Sequence, residues 1–237
     1  MRRLGSEPLA RCAAPLALLC AALGAAPAGA QPNLPVFDIG TSGTATLTGA
    51  INGSVIVNPN LLYLEVTLSF GELSPVNRSA LVRAVIPVII RTEAEYQLAG
   101  FVTASNFGTG GDALALSDIG MGIINVRPLA KGQLCPGAPH TVYPPFNTDP
   151  GLSYTLTPRV AFAGNLSLLT IPRVVLTGPR ASNRSIKLTP GNIPASQRDN
   201  GWTFDLILTA APQFFTTGSG TATLAFTISQ GPTLACQ

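Results

Sequence analysis

Leu62-Tyr63-Leu64-Glu65-Val66-Thr67-Leu68-Ser69-Phe70 alternates at every step, with Leu62, Leu64, Val66, Leu68 and Phe70 facing one way and Tyr63, Glu65, Thr67 and Ser69 the other. Successive side chains leave a β-strand on opposite faces, so a period of two marks a strand buried on one side. No long window of the chain shows the 3.6-residue period of an amphipathic helix.

The same period returns near the C-terminus. Trp202, Phe204, Leu206, Leu208 and Ala210 alternate with Thr203, Asp205, Ile207 and Thr209, and Ala222, Leu224, Phe226 and Ile228 alternate with Thr221, Thr223, Thr227 and Ser229. Between these two strands, Pro212 cannot donate to a ladder and predicts an edge, bulge or corner. Asn52-Gly53, between Leu47–Ile51 and Val55–Val57, is the dipeptide of a type I′ turn and predicts a tight hairpin there. Further strands are expected at Ala80–Ile90 with an irregularity at Pro87, Glu95–Ala104, Ile119–Val126, Tyr154–Phe162, Leu166–Leu176 and Ser185–Leu188. Short strands separated by Gly, Pro, Asn and Asp, without a fixed repeat, predict an all-β fold, an immunoglobulin-like or jelly-roll β-sandwich.

The N-terminus reads differently. Arg2, Arg3 and Arg11 precede an apolar stretch from Ala13 to Ala26 and then Ala28-Gly29-Ala30. A basic start, an apolar stretch too short to span a bilayer and a small-x-small site form the pattern of a secretory signal peptide. The expected organisation is a cleaved signal over residues 1–30 and one β-sandwich domain over 31–237, with a long Pro/Gly-rich loop near 131–151. The expected location is secreted, periplasmic or at the cell surface, with no membrane span in the mature chain.

Cleavage changes the arithmetic. The full chain has 14 basic and 11 acidic residues, and removing Arg2, Arg3, Arg11 and Glu7 leaves 11 and 10, a nearly neutral protein with no basic patch to bind nucleic acid. Charged residues are 11% of the chain against a usual quarter or so, so hydroxyls and amides solvate its surface. Cys12 and Cys20 leave with the signal, and in an oxidising compartment Cys135 and Cys236 are expected to bridge. That bond would close a loop of about 100 residues, worth up to about 4.7 kcal/mol by chain entropy.

Catalytic and metal chemistry finds little support. His140, the only histidine, lies between Pro139 and Thr141 and reads as a solvated loop residue. Ser42 and Ser219 sit in turn-like strings without a nucleophile-elbow frame. Glu93 and Glu95 read as acids on the solvated face of one strand rather than a pair across a cleft. Gly108–Asp112, with Asp118, could at most contribute to a surface calcium site, and a hairpin connection is the simpler reading. Asn52, Asn77, Asn165 and Asn183 each open an N-x-S pattern. No catalytic residue, cofactor site or metal site is assigned.

The run Gly220-Thr221-Ala222-Thr223-Leu224-Ala225-Phe226-Thr227-Ile228, following a signal peptide and Thr/Gly-rich alternating strands, resembles the last strand of bacterial pilin-like and spore-coat-U-like secreted proteins. The resemblance implies an immunoglobulin-like sandwich that assembles by donating a strand to a neighbour. It differs in continuing through Gly231-Pro232 to Cys236 and in lacking a near-terminal tyrosine.

The expected function is therefore that of a non-enzymatic structural or assembly protein, whose protein partners, other copies of itself among them, bind at exposed sheet edges. A carbohydrate-binding or adhesive module is the alternative, with Tyr143, Phe214 and Phe215 as candidate glycan contacts among the aromatics left outside the core, Tyr63 and Tyr96 being the others. A secreted hydrolase ranks third.

Overall fold

The alternating stretches become strands of two facing antiparallel sheets. The computed structural model describes residues 37–60, 62–71, 81–107, 114–130, 140–151, 161–180, 200–210 and 220–234, all within one unit that begins at Pro35. Among them eleven strands follow in order: β1 (Phe37–Thr41), β2 (Thr46–Thr48), β3 (Ser54–Asn60), β4 (Tyr63–Ser69), β5 (Val82–Thr92), β6 (Tyr96–Asn106), β7 (Ile119–Ala130), β8 (Thr141–Val142), β9 (Arg173–Gly178), β10 (Asn200–Ala210) and β11 (Thr221–Gln230). Sheet A runs β1-β5-β10-β7, with β2 also on β5, and sheet B runs β3-β4-β11-β6-β9-β8. The chain is an all-β sandwich.

The opening stretch sits as its alternation demands. In β4, Leu64, Val66 and Leu68 are buried and continue into Phe70, while Tyr63, Glu65, Thr67 and Ser69 are half-exposed. The inward side chains of both sheets interdigitate in one core, in which Leu64, Val66 and Leu68 of sheet B join Ile86, Val88, Phe204 and Leu206 of sheet A, with Leu224 and Phe226 from β11. Burying that apolar area is what holds the two layers together.

Two expectations need correction. Asn52-Gly53 does not close a hairpin: β2 pairs with β5 in sheet A, whereas β3 pairs with β4 in sheet B, so the turn carries the chain from one layer to the other. Asn52 does take the left-handed conformation (φ 57) that such a dipeptide favours. Gly71 (φ +64) packs on it so closely that a Cβ would come within 2.0 Å of the Ile51 carbonyl oxygen. The tight antiparallel pair lies one step further on, where β3 and β4 are in register to Asn60↔Tyr63.

Leu166–Leu176 is only half strand. Leu166–Leu169 form a 3-10 turn and β9 starts at Arg173. Asn165 caps that turn, its Oδ1 accepting from the Ser167 backbone N–H at 3.1 Å while its Nδ2 donates to the Phe162 carbonyl at 2.6 Å. A buried cap engaged at both ends is not open to glycosylation.

Of the expected Pro/Gly-rich loop near 131–151, residues 131–139 lie outside the described residues, and the part from residue 140 onward is built into the body. β8 joins sheet B beside β9, and Phe146 is fully buried. The Ile123 and Met121 N–H groups donate to the carbonyls of Phe146 and Gly164, each at 2.8 Å, which closes the first half of the outer edge of β7. The stretch from Thr148 to Gly151 then lies across sheet A, because Gly120 and Gly122 present no side chain: a Cβ at 122 would sit 2.0 Å from the Thr148 carbonyl oxygen. Asp149 pairs with Arg83 through both carboxylate oxygens. Ile207 and Thr209, opposite Gly122 and Gly120 in register, are fully buried as a result, so β10 is covered on both faces rather than one.

Candidate functional site

The sheet borders are unequal. β7 is bonded to loop backbone along its first half, at Met121 and Ile123, and β8 is two residues long. β3 is a seven-residue border strand paired, among the described residues, with β4 alone. Its Ser54, Ile56, Asn58, Pro59 and Asn60 are exposed, Ile56 to 52%. Val55 and Val57 turn inward against the core. Pro59, with no N–H to offer, is tolerated because the strand lies at a border. Ile51 (45%) and Leu62 (52%) flank this strand at its two ends, so three large apolar side chains stand in solvent along one border.

The outer face of sheet B continues from that border. Cross-strand register lines up Ile56, Thr67 and Thr223 in one row, Asn58, Glu65, Ala225 and Phe101 in the next, and Asn60, Tyr63, Thr227 and Ala99 in a third. These side chains hold one another: Thr67 and Thr223 share an Oγ–Oγ hydrogen bond of 3.1 Å, the Thr103 hydroxyl donates to the Thr223 carbonyl at 3.2 Å, and the Tyr63 hydroxyl donates to Glu65 Oε2 at 2.7 Å. That last bond, with the carboxylate charge, pushes the Tyr63 phenol above its ordinary range.

A third cluster lies where β6, β8, β9 and β10 meet. The His140 ring stands edge-on to Trp202 at 4.5 Å and 5.9 Å from the ring of Tyr96, and the Trp202 indole N–H donates to the Pro179 carbonyl at 2.9 Å. Gly178 makes room for it, since a Cβ there would meet His140 Cδ2 at 2.3 Å. His140 is thus a packed ring and not a solvated one. Its Nε2 and the Tyr96 hydroxyl are buried without a hydrogen-bond partner among the described residues. Burial lowers the imidazole to about 4 and raises the Tyr96 phenol, so both are neutral at pH 7.

The other residues singled out by sequence are scattered. Tyr143 is a loop residue, 37% exposed, whereas Phe214 and Phe215 lie outside the described residues. So do Cys135 and Cys236, together with Ser219, Asn77, Asn183 and Gly108–Asp112. Tyr96 is fully buried and leaves the set of exposed aromatics. Glu93 and Glu95 occupy the connection between β5 and β6 instead of one strand, and Asp118 accepts from the Ala115 N–H at 2.8 Å. Ser42 is exposed, its backbone N–H bonded to the Pro87 carbonyl. Among the described residues no three His, Cys, Asp or Glu side chains gather as metal ligands, and no helix is long and apolar enough to cross a membrane.

Sequence reasoning passed over Ile56 and the Thr67–Thr223 row. Their signal was present, as a β-branched apolar residue between Val55 and Val57 and as hydroxyls on the polar side of two alternating strands, but only pairing makes them neighbours. No family model, curated protein or solved structure matches this chain.

Proposed function

We propose that this chain is a secreted or cell-surface structural protein, non-enzymatic, that assembles with copies of itself by strand pairing at β3. The observation that carries this reading is a seven-residue border strand, paired on one side and bearing an isoleucine 52% exposed. Backbone donors and acceptors on such a border are a template for another strand, and natural proteins that avoid pairing blunt it with lysine or inward charge. Among the residues of β3 there is no charge, and Pro59 blunts only its far end. The nearly neutral composition after removal of the signal agrees with a surface that meets other copies without long-range repulsion.

Light scattering on the mature protein across a concentration series tests this. The wild type is expected to form dimers or longer assemblies in which the β3 amides exchange more slowly with deuterium as concentration rises. Ile56→Lys should remain folded, because the side chain lies outside the core, and should shift the distribution to monomer. A wild type that stays monomeric with β3 amides unprotected at every concentration would sink the reading.

A further inference from the structure

The two outer faces of the sandwich are unlike in charge. Outward positions of sheet A carry Asp38, Arg83, Arg91, Arg127 and Asp205, with Asp38 bonded to Arg91 at 2.9 Å and Asp205 to Asn125 at 2.7 Å. Outward positions of β3, β4, β11 and β6 in sheet B carry one charge, Glu65. Their other side chains are hydroxyls, amides, two aromatic rings and small or aliphatic groups. The low charge of the chain as a whole does not account for this, since sheet A carries five charges on its outward positions while these four strands carry one, the other charge of sheet B being the exposed Arg173 of β9.

What remains on sheet B is an ordered array. Strands about 4.8 Å apart and side chains about 7 Å apart along each strand set hydroxyls on a nearly regular grid. The bonds Thr67–Thr223, Thr103–Thr223, Tyr63–Glu65 and Gln97–Ser229 fix several of those groups before any ligand arrives. Pre-ordering lowers the entropy cost of binding. Phe101 and Tyr63, on adjacent rows, are both half-exposed, and Ala225 between them is buried.

We infer that the outer face of sheet B binds a neutral polysaccharide. Sugar rings present C–H faces to aromatic rings and hydroxyls to hydroxyl, amide and carboxylate partners, and this face offers both on one plane. Anionic glycans and nucleic acids would require cations, which these four strands lack on this side. A protein partner would favour an apolar centre, whereas here the exposed isoleucine is at the border and the centre is polar. The inference is independent of assembly at β3.

Affinity electrophoresis through gels containing hydroxyethylcellulose, amylose or galactomannan, with alginate as an anionic control, tests it alongside sedimentation with cellulose and chitin. At least one neutral polymer is expected to retain the wild type while alginate does not. The double variant Tyr63→Ala/Phe101→Ala should weaken retention by about tenfold or more. Thr227→Lys, which keeps the fold but adds a charge to the face, should weaken it too, and Arg127→Ser on sheet A should leave it unchanged. Absence of retention by every neutral polymer, equal retention by alginate, or wild-type retention of both sheet B variants would each overturn the inference. So would a change of oligomeric state in the double variant without loss of retention, because the face would then belong to contacts between copies. Ile56→Lys, read by light scattering, reports separately on β3.

Discussion

His140 makes folding sensitive to acid. Its imidazole is held between Tyr96 and Trp202, and burial lowers its folded-state value to about 4 from an ordinary 6.5. Between those two values the unfolded chain binds a proton that the folded chain refuses, so stability is complete above about pH 6.5 and declines as pH falls toward 4. The decline attributable to this residue is at most about 3 kcal/mol. Urea midpoints at pH 7.5, 5.5 and 4.5 should fall for the wild type and fall less for His140→Phe, which keeps an aromatic ring but cannot take up the proton. Equal slopes for the two proteins would show that the ring is not desolvated. The sequence pointed the other way here, because flanking Pro139 and Thr141 are loop residues by composition, and the rings that enclose His140 come from positions 96 and 202.

At the scale of elements, the segment from Thr148 to Gly151 is a strap over sheet A, held by shape at two glycines and by charge at Asp149. The Arg83 guanidinium, hydrogen-bonded to Asp149, holds that carboxyl below its usual range against the opposing effect of burial. Gly122→Ala would place a methyl 2.0 Å from the Thr148 carbonyl oxygen, which must move. Overpacking of this kind costs about 1–3 kcal/mol, and the displaced strap should expose Ile207 and Thr209. Hydrogen exchange would register it as faster amides in residues 146–151 and in the centre of β10, with β4 and β11 unaffected. The strap was invisible to periodicity, since a loop that covers a sheet follows no period; its prolines announced a loop but not what that loop covers.

For the whole molecule, the sandwich stands on the interlocking of its two inner faces. Phe226 is buried beneath Gly100, where a Cβ would come within 2.9 Å of its ring, so the aromatic fills space that the glycine leaves. Phe226→Ala should cost about 3–5 kcal/mol, seen as a lower urea midpoint with an unchanged slope. A smaller loss would mean that neighbouring side chains collapse into the space. The proposed assembly at β3 and the proposed glycan binding on sheet B would likewise be properties of the whole, since the border exists only where the sheet ends and the grid only where four strands lie side by side.

The sequence by itself determined that this is a β protein and which side of most strands is buried, as in Leu64–Phe70 and Ala222–Ile228, because a period of two is a local property that needs no partner to be read. Over residues 1–30 it carries the pattern from which export is an expectation. Tertiary structure alone decided that Asn52-Gly53 joins two layers instead of closing one hairpin, that β10 is covered on both faces, that His140 is enclosed, and that β3 is left at a border. Each of those depends on pairing between residues far apart in the chain, as in Thr67 with Thr223 or Gly122 with Ile207, and neither partner carries a local mark of the other.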